Sequence, residues 1–353
     1  MRTTPALAPA ECELQQSMQY DERGFATSAD GTRLFYGVRG AGPGLVLLDG
    51  IGCDGWAWIH IQPHLALRNR VVHCHYRGHG RSGRVRNLAT ATVDTLADDL
   101  LAVMDETGLS RTVVVAHSMG TQVALELYRK HPERVRALVL VCGTAGRITH
   151  TFHGNDLLHR ILPVLIQQVR RYEPIARALW GRLPPALSYR VAGWLREIDH
   201  GALRPEDFKL YVEHLSDIEL DLYLTMLQSA GDHTADDLLP QIRVPTLVIA
   251  AERDTFTPRD IVKDMASRIP GAVYRELLGS SQAAPTEQPQ QVNEFIDACL
   301  ATMDRASQPR LPSSPGARAR DEEDAPKVRR KVLRSPATRR PGLHVDCSSC
   351  PHR

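Results

Sequence analysis

The sequence predicts an α/β fold, a mostly parallel central sheet flanked by helices with a helical cap inserted into it. Three observations predict it. Short apolar runs of strand length alternate with segments of helical period, the pattern of a sheet covered on both faces. One such run, residues 112–116 (TVVVA), passes almost directly into a helical pattern at Met119. One long interval, residues 144–237, holds helical patterns and no strand candidate, so it reads as an insertion between two core strands.

In chain order, residues 1–18 are expected to form a flexible leader. Residues 25–38 read as a hairpin turning at Ala29-Asp30-Gly31. Strands follow at residues 44–48 (GLVLL), 70–75 (RVVHCH), 112–116, 135–142 (VRALVLVC), 245–250 (PTLVIA) and 272–277 (AVYREL). Helical periods fill the intervals. Residues 92–107 place Val93, Leu96, Leu100 and Met104 on one face. Residues 119–130 follow a strand, and residues 289–303 close the body. The core therefore comprises residues 19–143 and 238–303, and the cap residues 144–237. Trp180, Trp194, Tyr172, Tyr189, Tyr211 and Tyr223 in the cap read as its own core before they read as ligand contacts. Residues 304–353 are rich in Pro, Arg and Ser without aliphatic periodicity, the composition of a disordered basic tail.

The bulk composition is that of a soluble globular protein, 42% apolar and 24% charged. The net charge of +2 is unevenly spread. The tail carries 12 Lys+Arg against 6 Asp+Glu, so the body is mildly acidic and no nucleic-acid partner is expected for it. No window approaches the ~20 apolar residues of a membrane span, and the first residues lack a secretion signal. Seven cysteines are scattered through the chain, consistent with free thiols in a reducing, cytoplasmic compartment. Cys347 and Cys350 near His344 and His352 have zinc-like spacing. Structural zinc sites draw on two separated ligand pairs, so no metal is expected. No nucleotide fingerprint appears, and no cofactor is expected.

Four segments carry chemistry. Ala116-His117-Ser118-Met119-Gly120 has the strand–turn–helix context of a nucleophile elbow, with small residues at its first and last positions. Leu47-Leu48-Asp49-Gly50-Ile51-Gly52 follows a strand, and its glycines free backbone N–H groups for an oxyanion. The N–H groups of Ile51 and Met119 are the candidate donors. Tyr76-Arg77-Gly78-His79-Gly80 lacks phosphate-loop spacing and reads as a structural loop. Ala251-Glu252-Arg253-Asp254 follows a strand, and Asp254 falls where the acid of a Ser–Asp–His order belongs, with Glu252 as competitor.

Together these segments resemble the serine-nucleophile α/β-hydrolase superfamily over about residues 25–303. The resemblance implies Ser118 as nucleophile, Ile51 and Met119 as oxyanion donors, and Asp254 as acid. Three positions depart from the family pattern. Asp49 replaces the usual His before Gly50, and His75 replaces the usual Asp before Arg-Gly-x-Gly. Most consequentially, Gln282 stands where the final Gly-x-x-His motif carries its histidine, although Gly279, Glu287 and Pro289 keep the pattern. An amide can hydrogen-bond both Ser118 and Asp254 but cannot take up a proton. His117, His79, His153 and His233 are the substitute bases to consider, with the His117 side chain expected to point away from Ser118.

The resemblance implies hydrolysis of an ester, thioester or related acyl bond in a small apolar substrate, slowed by the missing base. The alternatives are a catalytically silent pseudoenzyme that binds a small hydrophobic ligand under the cap, as the plant gibberellin receptor of the same superfamily does, a non-hydrolytic enzyme using the oxyanion hole, and an interaction protein using its tail.

Overall fold

A computed structural model describes residues 19–307, apart from residues 151, 153–154, 181–187, 191, 193–197 and 200. The chain divides into two units, Met1–Gln308 and Pro309–Arg353. The second unit, the expected leader, the Cys347/Cys350 pair and His153 all lie outside the described residues.

Eight strands form one sheet: β1 (Glu22–Thr27), β2 (Arg33–Arg39), β3 (Gly44–Leu48), β4 (Arg70–Cys74), β5 (Thr112–His117), β6 (Val135–Val141), β7 (Thr246–Ala251) and β8 (Val273–Leu277). Their order is β1-β2-β4-β3-β5-β6-β7-β8. The first two pairings are antiparallel and the rest parallel. Parallel neighbours need crossover helices, which cover the faces. The longer helices are α1 (Val93–Glu106), α2 (Met119–Lys130), α3 (Leu157–Arg171), α4 (Glu173–Leu179), α5 (Pro205–Asp217), α6 (Leu220–Asp232), α7 (Arg259–Arg268) and α8 (Pro289–Ser307).

The central strands are apolar throughout because both of their faces are buried. Alternate residues point to opposite faces. Val46, Leu48, Val114, Ala116, Leu138 and Leu140 therefore pack with Leu96 and Leu100 of α1 and Val123 and Leu127 of α2. Leu45, Leu47, Val113, Val115, Val139 and Ile249 pack on the other side with Trp58 and with Val292 and Ile296 of α8.

Element boundaries follow local chemistry. β7 begins at Thr246, one residue after Pro245, which lacks an N–H for the ladder. β6 stops at Val141 because Cys142 turns to a left-handed φ of 47°. α1 opens on Thr92, whose hydroxyl accepts the Thr95 N–H at 3.2 Å. It closes before Gly108, at φ 69°. Between β6 and β7 the described residues form α3 to α6 and no strand, apart from a lone bridge of Gly146 with Thr234.

Candidate active site

The carboxyl ends of β3, β5, β6, β7 and β8 meet along one edge of the sheet, and the motif residues gather there. Ser118 joins β5 to α2 with φ 53° and ψ −123°, a sparsely populated conformation for a residue with a side chain. The turn is held by two backbone bonds. The Ser118 N–H donates to Val141 O at 3.0 Å and the Thr121 N–H to Ser118 O at 2.9 Å. Gly120 is required because a Cβ there would lie 2.7 Å from Asp49 O and 2.8 Å from Leu48 O. Backbone cannot retreat as a side chain can. Gly120→Ala is therefore expected to cost about 1–3 kcal/mol, read as a lower urea midpoint; an unchanged midpoint would contradict this geometry.

The loop after β3 crosses in front of Ser118. Gly50 sits so close that a Cβ would lie 3.0 Å from Ser118 Cβ and 3.2 Å from both Cys53 Sγ and His117 Nδ1. Buried bonds brace this loop. Asp49 Oδ2 accepts the Gly55 N–H at 2.8 Å and the His73 Nε2–H at 2.7 Å. The Tyr20 hydroxyl donates to His73 Nδ1 at 2.8 Å, and the Tyr76 hydroxyl to Asp49 O at 2.9 Å. Asp49 and His73, which the sequence did not bring together, are thus one buried pair. The signal was a histidine inside the apolar run RVVHC, which needs a polar partner when buried. Ile51 lines the same cavity as Ser118, and Met119 is the first residue of α2, where N–H groups lack intrahelical acceptors.

Asp254 lies buried between β7 and α7. Its Oδ1 accepts the N–H groups of Phe256 and Thr257 at 2.9 and 2.8 Å, and its Oδ2 accepts the Thr257 hydroxyl at 2.6 Å. The competitor Glu252 is exposed and accepts the Gly279 N–H at 2.8 Å. Gln282 does not bridge Ser118 and Asp254. Its Nε2 donates to Cys142 O at 3.1 Å, and its Oε1 lies 3.4 Å from the Thr257 hydroxyl. The backbone around Gln282 is fixed by Glu287, which accepts the Ser281 N–H at 2.8 Å and the Ser281 hydroxyl at 2.6 Å. Burial raises the Glu287 carboxyl even against these bonds.

The structure corrects the expectation for His117. The residue lines the same cavity as Ser118, and its ring reaches the Gln282 backbone. Nε2 meets Gln282 O at 2.9 Å as donor, which leaves Nδ1 without a proton, buried and without a partner. Burial lowers the pKa of this imidazole. The other described candidate bases, His79 and His233, are engaged elsewhere. His79 accepts the Gly52 N–H at 3.3 Å and donates to Arg77 O at 3.2 Å, with burial lowering its pKa to about 4. His233 meets Glu126 at 3.2 Å.

Ser118, Gln282 and His117 border a cavity of about 250 Å³. Trp56, Tyr211, Tyr223, Leu158, Leu227 and Phe256 line it too. Tyr211 and Tyr223, expected to fill the core of the helical layer, pack against apolar clusters and also line the cavity. The Trp56 and Tyr211 rings pack at 4.8 Å.

This architecture and the elbow define a class. The chain belongs to the α/β-hydrolase superfamily: a family model for the alpha/beta hydrolase fold matches residues 43–184, and relatives match over most of their length. A RutD protein from Azorhizobium caulinodans, assigned as a carbamate hydrolase, is 29% identical over 266 residues, 74% of this chain and 93% of the relative. A RutD protein of the same assignment from Caulobacter sp. is 30% identical over 229 residues, 65% of this chain and 79% of the relative. Among solved structures, a thermophilic esterase from Thermogutta terrifontis superposes with a TM-score of 0.66 at 22% identity, covering 80% of this chain and 99% of the esterase. An enol-lactonase from Burkholderia xenovorans superposes at 0.64 and 21% identity, covering 79% and 100%. At these identities the likeness is one of fold.

Proposed function

We propose that the protein is a slow serine hydrolase that acts on an ester, thioester or related acyl bond of a small apolar substrate. The observation that carries this reading is Ser118 on its strained turn, opening onto an apolar cavity beside the backbone of Ile51 and Met119. Ser118 is the nucleophile. The Ile51 and Met119 N–H groups receive the oxyanion, where each such donor contributes roughly 10²–10³-fold. Asp254 is the acid of a triad whose base position is occupied by Gln282. A carbamate, the assignment of the RutD relatives, is also cleaved at its carbonyl carbon and so belongs to the same reaction class. The helical layer between β6 and β7 acts as the cap that closes the cavity.

Gln282 cannot relay a proton. A triad lacking a member keeps roughly 10³–10⁴-fold acceleration from the oxyanion hole and binding, so turnover is expected to be slow. The full chain should be incubated with a fluorophosphonate probe and, separately, with p-nitrophenyl butyrate. The expected outcome is labelling at Ser118, found by mass spectrometry of the modified peptide, and slow ester turnover that Ser118→Ala removes. Turnover that survives Ser118→Ala would overturn the assignment.

The second reading is a silent receptor for a small hydrophobic ligand. It is favoured by the Gln282 amide, which binds Cys142 O and Thr257 rather than Ser118. Butyl phenyl ketone, an uncleavable apolar probe, would then raise the melting temperature while neither labelling nor turnover occurs.

A further inference from the structure

The helical layer between β6 and β7 carries an apolar stripe on its outer side. Leu157, Ile161, Val164 and Leu165 are exposed on α3, and Tyr172, Ile175 and Leu179 continue the stripe through α4. Seven of the eleven large apolar side chains exposed among the described residues lie in this short stretch, so the stripe is not the scatter normal for a surface. On α3 the spacing is i, i+4, i+7 and i+8, one face of a helix. The residues turned the other way, Leu162 and Ile166, are buried against Leu224 of α6. α3 is thus apolar both toward the protein and away from it.

The charged residues around the stripe are mostly basic. Residues 157–179 include Arg160, Arg170, Arg171 and Arg177 against one acid, Glu173. Three of these arginines pair with Asp156, Asp221 and Glu173. All three pairs are at the surface, where such pairs contribute little, and a guanidinium can exchange its carboxylate for a phosphate. Leu158, next to the exposed Leu157, lines the cavity that holds Ser118.

We propose that this face docks the protein peripherally on anionic lipid bilayers, with α3 and α4 lying in the plane of the interface. An apolar face edged by arginines is the signature of an interfacial helix. A second copy of the chain is disfavoured as the occupant, because a two-fold contact sets the same patch against itself and would bring the arginine margins together. Docking would set the wall of the cavity against the phase in which apolar acyl compounds concentrate.

The test is flotation of the full chain with phosphatidylcholine vesicles, with and without phosphatidylglycerol. The control is the triple variant I161Q/L165Q/I175Q, which keeps every charge and alters only exposed positions. The wild type is expected to float with phosphatidylglycerol vesicles, and the triple variant to bind them at least roughly 10-fold more weakly. The basic tail also attracts anionic lipid, so undiminished binding by a folded triple variant would overturn the proposal. So would sedimentation velocity showing a dimer that the same substitutions disperse. Neither readout depends on turnover, so this proposal and the hydrolase reading fail separately.

Discussion

Gln282→His is expected to raise p-nitrophenyl butyrate turnover by about 10²–10⁴-fold, the usual contribution of a positioned general base. The physical reason is that only the side chain is missing. The backbone of residues 281–282 is already held by Glu287 and by the His117 ring. The neighbouring acid loop is ordered around Asp254 by three hydrogen bonds. An imidazole at this position acts as base only when neutral, so activity of the variant should rise with pH through about 6.5. Adding Ser118→Ala should remove the gain and the starting turnover with it. A folded Gln282→His variant with no gain would mean that Ser118 is not placed to react, and the receptor reading would stand.

The largest expected effect on stability is at Arg77. Its guanidinium is fully buried and donates to both carboxylate oxygens of Asp99 at 2.7 and 2.6 Å, to Asp30 and Thr90 at 2.8 Å and to Ser28 at 2.9 Å. This one side chain ties the loop after β4 to α1 and to the β1–β2 turn. Arg77→Leu leaves Asp99 buried without its cation and should cost about 3–5 kcal/mol, a fall in melting temperature on the order of 10 °C. Replacing Asp99 with Leu as well should recover part of that loss, because removing both charges is cheaper than orphaning one. A single variant as stable as the wild type would show that the network contributes nothing net.

The fold was legible where local chemistry and burial agree. Strands buried on both faces appear as uninterrupted apolar runs, so GLVLL is recovered residue for residue as β3. The elbow was legible because only a strand, a sharp turn and a helix in sequence require small residues at those two positions. What the sequence did not disclose was partnership across the chain. Arg77 was read as part of a structural loop, yet its partners stand up to 49 residues away. Asp49 stood out as a departure from the family pattern but its partner His73 did not, and only the parallel register of β3 with β4 sets the two side by side. The orientation of His117 depended on where the Gln282 carbonyl lies, 165 residues further on. The cavity walls were likewise hidden, since Tyr211 and Tyr223 follow the same helical period whether they pack inward or face a ligand.

The order of the sheet has a consequence for self-association. β1 and β8 are its two outermost strands, and an unpaired strand edge is a template on which another chain can add. Both are short, and both carry charge of each sign in adjacent positions, Glu22 and Arg23 on β1 and Arg275 and Glu276 on β8. A β-strand approaching either edge would have to bury those charges. The rims of this sheet therefore act as gatekeepers against edge-to-edge aggregation, protecting the Val- and Leu-rich strands between them.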